Sequence, residues 1–465
     1  MSRESLVLRI LVAALAFGCA LGLIHVVSVI GFQVPFDLNE GWNAAFAQSV
    51  LSSGSPYPKP SGLLFNNYPP LSFYLVAAVS KLTGDAVVAG RLVALAAFLA
   101  VAFGIERAAA AMGCTRPQTL FTALFFAAGL MLTSDYVGMD DPQLLGHAIA
   151  TGGLLLVLRE PRTPRLMVGA ALCLALAFFV KHNLIVLPLA LGAWLLLADR
   201  RHATPFIVSG IIFLLLGLGL FKQVYGFSLL SQIDSARTYS VANIETGLAQ
   251  WLPWGAVPAV GAALLLVVAR HDRHTVLCVL YTGLAIGLGI YFLGGAGVDA
   301  NAMFDADIAL ALCAGLLLNR LQSPVWPAAA ASLFAVPLIA GIWSLDPAWR
   351  DSDFWLHPLA DDRQTAAAEI ALLHAAKGPV LCEMLSLCYW AGKPAQVDVF
   401  NLEQAYLTAA RRDAPLVTSI EERRYAAIQL EQMTSFPLTP AIRVALLKNY
   451  RIVRTDDDRV FFVPR

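Results

Sequence analysis

Charge is scarce in this chain. Lys, Arg, Asp and Glu make up 14% of its 465 residues, and the 32 basic and 32 acidic side chains cancel. A balance of zero leaves no bulk attraction for nucleic acid. Heptads, low-complexity tracts and obvious internal repeats are missing, which excludes coiled coils and repeat arrays. There is no Asn-x-Ser/Thr acceptor for glycosylation, a lack that fits a bacterial protein. No cysteine spacing matches a metal finger. Of the seven cysteines, Cys19, Cys173, Cys278 and Cys313 fall inside apolar runs and Cys114 at the end of one, where they serve as small hydrophobes. Cys382 and Cys388 lie in a charged stretch and could pair in an oxidising compartment. Without a recognised framework, the expectation is two reduced, buried thiols.

What is present is hydrophobicity. Apolar residues make up 58% of the chain, and mean hydropathy is +0.68. The first run, Leu6–Ile30, carries Arg3 and Arg9 at its start. It stays apolar too long for a signal peptide and reads as an uncleaved first span. Further runs centre on Ala86–Ile105, Leu120–Leu132, Gln143–Leu158, Leu166–Val180, Leu184–Ala198, Pro205–Phe221, Trp254–Ala269, Thr275–Leu293, Ile308–Leu318 and Val325–Trp343. The expected fold is mainly α: a polytopic helical membrane protein of about eleven spans (residues 1–344) with a small C-terminal α/β domain (345–465).

Basic residues mark alternate connections. Arg107 and Arg116, then Arg159, Arg162 and Arg165, then Arg200 and Arg201, then Arg270 and Arg273, then Arg320 form one set. The other set is sparse: Lys59, Lys81, Lys181, Lys222 and Arg237. The positive-inside rule therefore places the N-terminus in the cytoplasm, and the loop 31–84 and the tail outside. An odd number of spans gives the same answer. In the tail, Val380–Glu383 and Gln396–Val399 read as strands flanking a helical Leu385–Ala391. Glu403–Arg411 and Pro440–Asn449 read as helices, and Tyr450–Val463 as a hairpin turning at Asp456–Asp458.

The loop 31–84 is far longer than a connector needs, and its Pro and aromatic content marks a functional loop. Asp37 and Glu40 share a face if the segment is helical, and Asn66-Asn67-Tyr68-Pro69-Pro70 is a stiff turn. Two further connections on the same side carry acids: Asp135, Asp140 and Asp141, then Asp299, Asp305 and Asp307. Solvation alone also places acids in loops, but Pro142 makes Asp140-Asp141 a helix cap at the membrane edge. Arg91 lies about two turns inside the second span, where a guanidinium needs a partner or an anionic ligand. With Lys181 and His182 it could hold a phosphate; snorkelling is the other reading of the Lys181-His182-Asn183 turn.

The order of these features resembles the C-type integral-membrane glycosyltransferases, in the branch of protein mannosyltransferases, aminoarabinose transferases and galacturonosyl transferases. The matching residues are Asp37, Glu40 and Gly41; Asn67 to Leu71; Gly84, Asp85, Gly90, Arg91 and Leu92; Asp140-Asp141-Pro142; and Phe179-Val180-Lys181. The likeness covers residues 1–200 well and the remainder in outline. The family often has adjacent Asp-Glu, whereas here Asn39 precedes Glu40 and Asp37 stands two residues before Asn39.

The resemblance implies a polyprenyl-phosphate sugar donor, transfer to an acceptor glycan, lipid or protein outside the membrane, and often a divalent metal cation. On this reading Asp37, Glu40 and Asp141 are the catalytic candidates, Asp37 first as base because its counterpart is an aspartate. Arg91, Lys181 and His182 would hold the donor phosphate, Asn67, Tyr68 and Pro69 the substrate loop, and Glu40 and Asp140 the metal. The setting is then a bacterial inner membrane with the tail in the periplasm. A transporter or lipid flippase would place its ionisable groups at mid-membrane on broken helices. A non-catalytic assembly subunit would use the tail to bind a partner.

Overall fold

The computed structural model describes residues 3–58, 62–233, 237–321, 325–344, 352–431, 439–456 and 459–465; Lys59, Asp457 and Asp458 lie outside this set. The chain begins with α1 (Arg3–Val29), followed by α2 (Leu38–Ser53) and α3 (Leu71–Thr83) within the long loop. Then come α4 (Ala86–Ala111), α5 (Arg116–Thr133), α6 (Gln143–Leu158), α7 (Pro164–Val180), α8 (Val186–Ala198) and α9 (Arg200–Tyr225). A short α10 (Leu229–Ile233) leads to α11 (Val241–Ala269), α12 (Arg273–Leu293), a 3-10 turn (Ala300–Met303), α13 (Phe304–Arg320) and α14 (Val325–Ser344).

Among the described residues, seven helices are long and apolar enough to cross a membrane. With α5 to α8 they correspond one for one to the eleven apolar runs, so the protein is an integral membrane protein. The thirteen-residue α3 is also apolar but lies within the long loop and is not one of the eleven runs. The span formed by the 3-10 turn and α13 is almost wholly buried, whereas little of α9 is. Thus α13 is the centre of the bundle, and α9 turns its apolar side chains to lipid. Lipid gives no hydrophobic drive for helix association, so close contact depends on small residues. Gly104 meets Thr151, Gly153 meets the Ala170 carbonyl, and Gly315 meets Thr122.

The tail contains α15 (Ser352–Leu356), α16 (Ala360–Ala375), β1 (Val380–Cys382), α17 (Leu385–Trp390), α18 (Val399–Leu407), α19 (Ala414–Glu421), β2 (Ala427–Leu430), α20 (Pro440–Asn449), β3 (Tyr450–Asp456) and β4 (Arg459–Pro464). Its sheet has the order β1-β2-β4-β3, with β1 parallel to β2 and the other pairs antiparallel. Three expectations are corrected here. Gln396–Val399 is not a strand: Asp398 accepts from the Asn401 N–H at 3.0 Å and so starts α18, four residues before the expected helix. The strand beside β1 is instead β2, a buried run of four. Cys382 and Cys388 are joined by a disulfide, with Cα atoms 6.0 Å apart.

Candidate active site

The first turn of α2 assembles the site. Asp37, in an extended conformation, is the N-cap, and its Oδ1 accepts from the Asn39 N–H at 2.7 Å. That leaves the start of the helix satisfied and points Glu40 inward. Glu40 has no exposed surface. Its two oxygens accept from Arg91 Nε and Nη2, each at 2.7 Å, and also from the Phe36 and Asp140 N–H groups at 3.0 and 3.3 Å. Arg91 is equally buried. Its remaining donors reach the Ile30, Phe32 and Val34 carbonyls at 3.3, 2.8 and 2.7 Å. All five guanidinium N–H bonds are therefore spent, and Phe36 covers the group at 3.7 Å.

The second acidic turn lies directly against this pair. Asp140 is buried, its carbonyl accepts from Asn43 Nδ2 at 2.8 Å, and its Oδ2 has no partner. Burial first, then the neighbouring Glu40 and Asp141 charges, push its carboxyl well above the ordinary range, with Arg91 opposing. Gly90 makes room for it, since a Cβ there would overlap the Asp140 carboxylate. Asp141 accepts from the Gln143 N–H at 2.7 Å and from Lys181 Nζ at 2.9 and 3.0 Å. Burial is the largest influence on Lys181 and acts to lower its pKa. Asp141 and Tyr68 outweigh it and hold the lysine above its ordinary value.

The loop turn packs over the lysine. The Tyr68 ring lies 4.8 Å from Lys181 Nζ and 4.8 Å from the Trp42 ring. Asn67 and Pro69 are buried beside it. His182 is held neutral: burial, then Lys181 and Arg237, lower its pKa to about 4, and its Nδ1 has no partner.

A cavity of about 860 Å³ opens next to this cluster. It lies between α11, the 3-10 turn, the 134–139 loop and α18. Of the candidate site residues, Asp37 alone lines it. Asp135, Asp299, Asp307 and Glu403 contribute four more carboxyls, so the three acidic connections do converge. One face of α11 runs from Ser240 and Asn243 through Gln250 to Trp251 and Trp254, grading from polar to apolar. A second cavity, about 510 Å³, between α1, α5, α14 and α16 shares Leu132, Ser134 and Asp135 with the first.

The tail closes the site from above. Trp42 Nε1 donates to Asp398 Oδ2 at 2.9 Å, the Asp398 N–H to the Leu63 carbonyl at 2.9 Å, and Arg411 to the Gly62 carbonyl at 2.8 Å. Thr238, at the cavity rim, donates to Gln404 of α18.

Several expected roles do not fit this geometry. Arg91 has no donor left for a phosphate, and His182 carries no charge at neutral pH. Lys181 already serves Asp141. Glu40 is saturated by Arg91 and cannot act as an open base. Glu40 and Asp140 do not form an open metal site as they stand, because one is spent on Arg91 and the other is buried against Gly90. Among the described residues, no group of three or more His, Cys, Asp or Glu is placed to hold a metal ion. One cation was missed. Arg237 is half-buried at the cavity rim, with Nη1 on the Ala296 carbonyl at 3.0 Å and its guanidinium 5.6 Å from the Phe400 ring. It is the one basic residue just ahead of α11 on the tail side, and that placement was its only signal.

The sequence profile of the dolichyl-phosphate-mannose-protein mannosyltransferases matches residues 67–221. The whole architecture superimposes on ArnT from Cupriavidus metallidurans. The apo structure gives a TM-score of 0.65, at 15% identity over 97% of both chains. The form bound to undecaprenyl phosphate gives 0.63, at 15% identity over 96% of this chain and 97% of that one. The chain has the fold of a C-type integral-membrane glycosyltransferase. Mycobacterial arabinofuranosyltransferase AftD shares this fold at a TM-score of 0.50 and 17% identity, over all of this chain and 42% of that one. No curated protein sequence matches significantly. The resemblance carried by the motifs of the first two hundred residues thus extends, as a fold, across the tail as well.

Proposed function

We propose that this glycosyltransferase fold transfers a sugar from a polyprenyl-phosphate donor to an acceptor hydroxyl in the 860 Å³ cavity, with Asp37 as general base. The observation that carries the reading is the contrast between the two loop acids. Glu40 is locked on Arg91, whereas Asp37 lines the cavity and spends only Oδ1 on the helix cap. Burial, set against the Asn39 N–H and reinforced by Asp141, Asp299 and Glu40, raises the Asp37 pKa, which strengthens it as a proton acceptor.

The proposed step is a single displacement. Asp37 takes the acceptor hydroxyl proton as the acceptor oxygen bonds to the anomeric carbon. The bond from that carbon to the phosphate oxygen breaks, and polyprenyl phosphate leaves with the electron pair. Arg237 at the rim offers the guanidinium for that phosphate. The graded face of α11 suits a phospho-sugar above and a prenyl chain against Trp251 and Trp254 below. The second cavity meets the first at Asp135 and gives the acceptor its own approach. A polyprenyl phosphate is also what one ArnT structure holds.

The proposed setting is a bacterial inner membrane with the tail-side face in the periplasm. A disulfide persists in an oxidising compartment, and the basic connections lie at the opposite ends of the helices. Incubating the purified protein with polyprenyl-phosphate sugars carrying neutral, amino or uronic sugars tests the activity. Release of polyprenyl phosphate from one of them, lost in Asp37→Asn, is expected; no release from any of them defeats the reading.

A further inference from the structure

We propose that the disulfide-closed turn of the tail positions the first turn of α2, so that the transfer step depends on the Cys382–Cys388 bond. The inference rests on the reading of Asp37 as base. Besides the Trp42–Asp398 bond, the tail meets the start of α2 through α17, a helix of six residues. So short a helix does not hold its shape alone. Cys388 within it is bonded to Cys382 at the end of β1, which ties α17 to the tail sheet.

From that anchor α17 touches the starts of two helices. Its Leu385–Ser386 backbone lies flat on Gly41, where a Cβ would overlap it. Its Tyr389 hydroxyl accepts from the Ala86 N–H at 2.8 Å, and Trp390 Nε1 donates to Asp85 Oδ2 at 2.8 Å. Asp85 in turn caps α4 through the Val87 and Val88 N–H groups at 2.8 and 3.2 Å. So α17 sits across the N-termini of α2 and α4, the helices that carry Glu40 and Arg91. Asp37 is the cap of α2, four residues before Gly41. Any slide of α17 moves the cap relative to the cavity wall, and a misplacement of about 1 Å can cost on the order of a hundredfold in rate. The rim arginine makes its contacts with Ala296 and Phe400, not with α17, so donor capture is spared.

Two variants of the full-length protein test the proposal: Cys382→Ser/Cys388→Ser, which opens the turn, and Tyr389→Phe/Trp390→Phe, which keeps the disulfide and cuts both hydrogen bonds to α4. For each, kcat, donor KM and amide hydrogen exchange are measured. The expected result is a kcat lower by about tenfold to a hundredfold, donor KM within about twofold, and faster exchange in 39–47 with β2 still protected. If the serine variant fails to fold, the aromatic variant decides. In a variant that folds, unchanged exchange in 39–47 or unchanged kcat overturns the proposal, as does a loss of kcat in the aromatic variant with protection lost throughout the protein. Should no donor be turned over at all, the functional reading falls, and the exchange pattern alone decides whether α17 holds α2.

Discussion

Glu40 and Arg91 meet through two parallel hydrogen bonds of 2.7 Å, and neither side chain has any exposed surface. Removing one member of such a pair leaves the other charge buried and costs about 3–5 kcal/mol. Arg91→Ala and Glu40→Gln should each lower the thermal unfolding temperature sharply. Arg91→Lys should recover only part, because the fork and three carbonyl partners are lost. Donor affinity that falls in Arg91→Lys with thermal stability intact would return this arginine to the phosphate.

Asp37→Asn should keep the cap, since Asn caps as well as Asp, and should lose about a hundredfold to ten-thousandfold in kcat. Because the ionised form is the base and its pKa is raised, wild-type kcat should rise with pH through an apparent pKa above the usual aspartate range. Wild-type kcat that stays flat across that range, or an Asp37→Asn variant as fast as wild type, would move the base elsewhere.

Arg237→Gln removes a charge-assisted bond worth about 1.5–3 kcal/mol. The donor KM should rise tenfold or more with thermal stability unchanged. Titration of the purified variant with polyprenyl phosphate alone gives the same answer without turnover.

The tail should lose stability as pH rises. Burial, with Glu431 and Glu403 nearby and the Glu431 N–H opposing, raises Glu383 from 4.5 to about 7. Burial raises Glu369 likewise, against the pull of Arg459. Folded carboxyls that bind protons more tightly than unfolded ones stabilise fully below about pH 4.5, and that stabilisation is lost through pH 7. Glu383→Gln should flatten this slope in thermal melts taken between pH 5 and 8.

Orientation is open to direct labelling. A cysteine at Ser53, on the tail-side loop, should react with an impermeant maleimide in spheroplasts, and one at Arg201 should not. The reverse pattern would turn the site to the cytoplasm.

Much of the bundle was legible because lipid imposes a simple demand, about twenty apolar residues per crossing. The convergence of the three acidic connections was legible for the same reason: their side follows from counting spans. Partners were not. Glu40 and Arg91 are 51 residues apart, and nothing local in either segment says that they meet rather than face a ligand. Cys382 and Cys388 have no framework spacing, so their bond depends on how β1 and α17 pack. Arg237 belongs to no motif, and its place at the rim follows only once loop 294–299 and α18 are built around it.

The Asp37 carboxylate divides its tasks between two atoms. Oδ1 is committed to the Asn39 N–H, while Oδ2 makes no hydrogen bond to the described residues. A proton taken on Oδ2 leaves the cap bond in place, so α2 need not fray and rewind at each turnover. The resting and protonated enzyme can then share one backbone, and the next proton transfer meets the same geometry as the last.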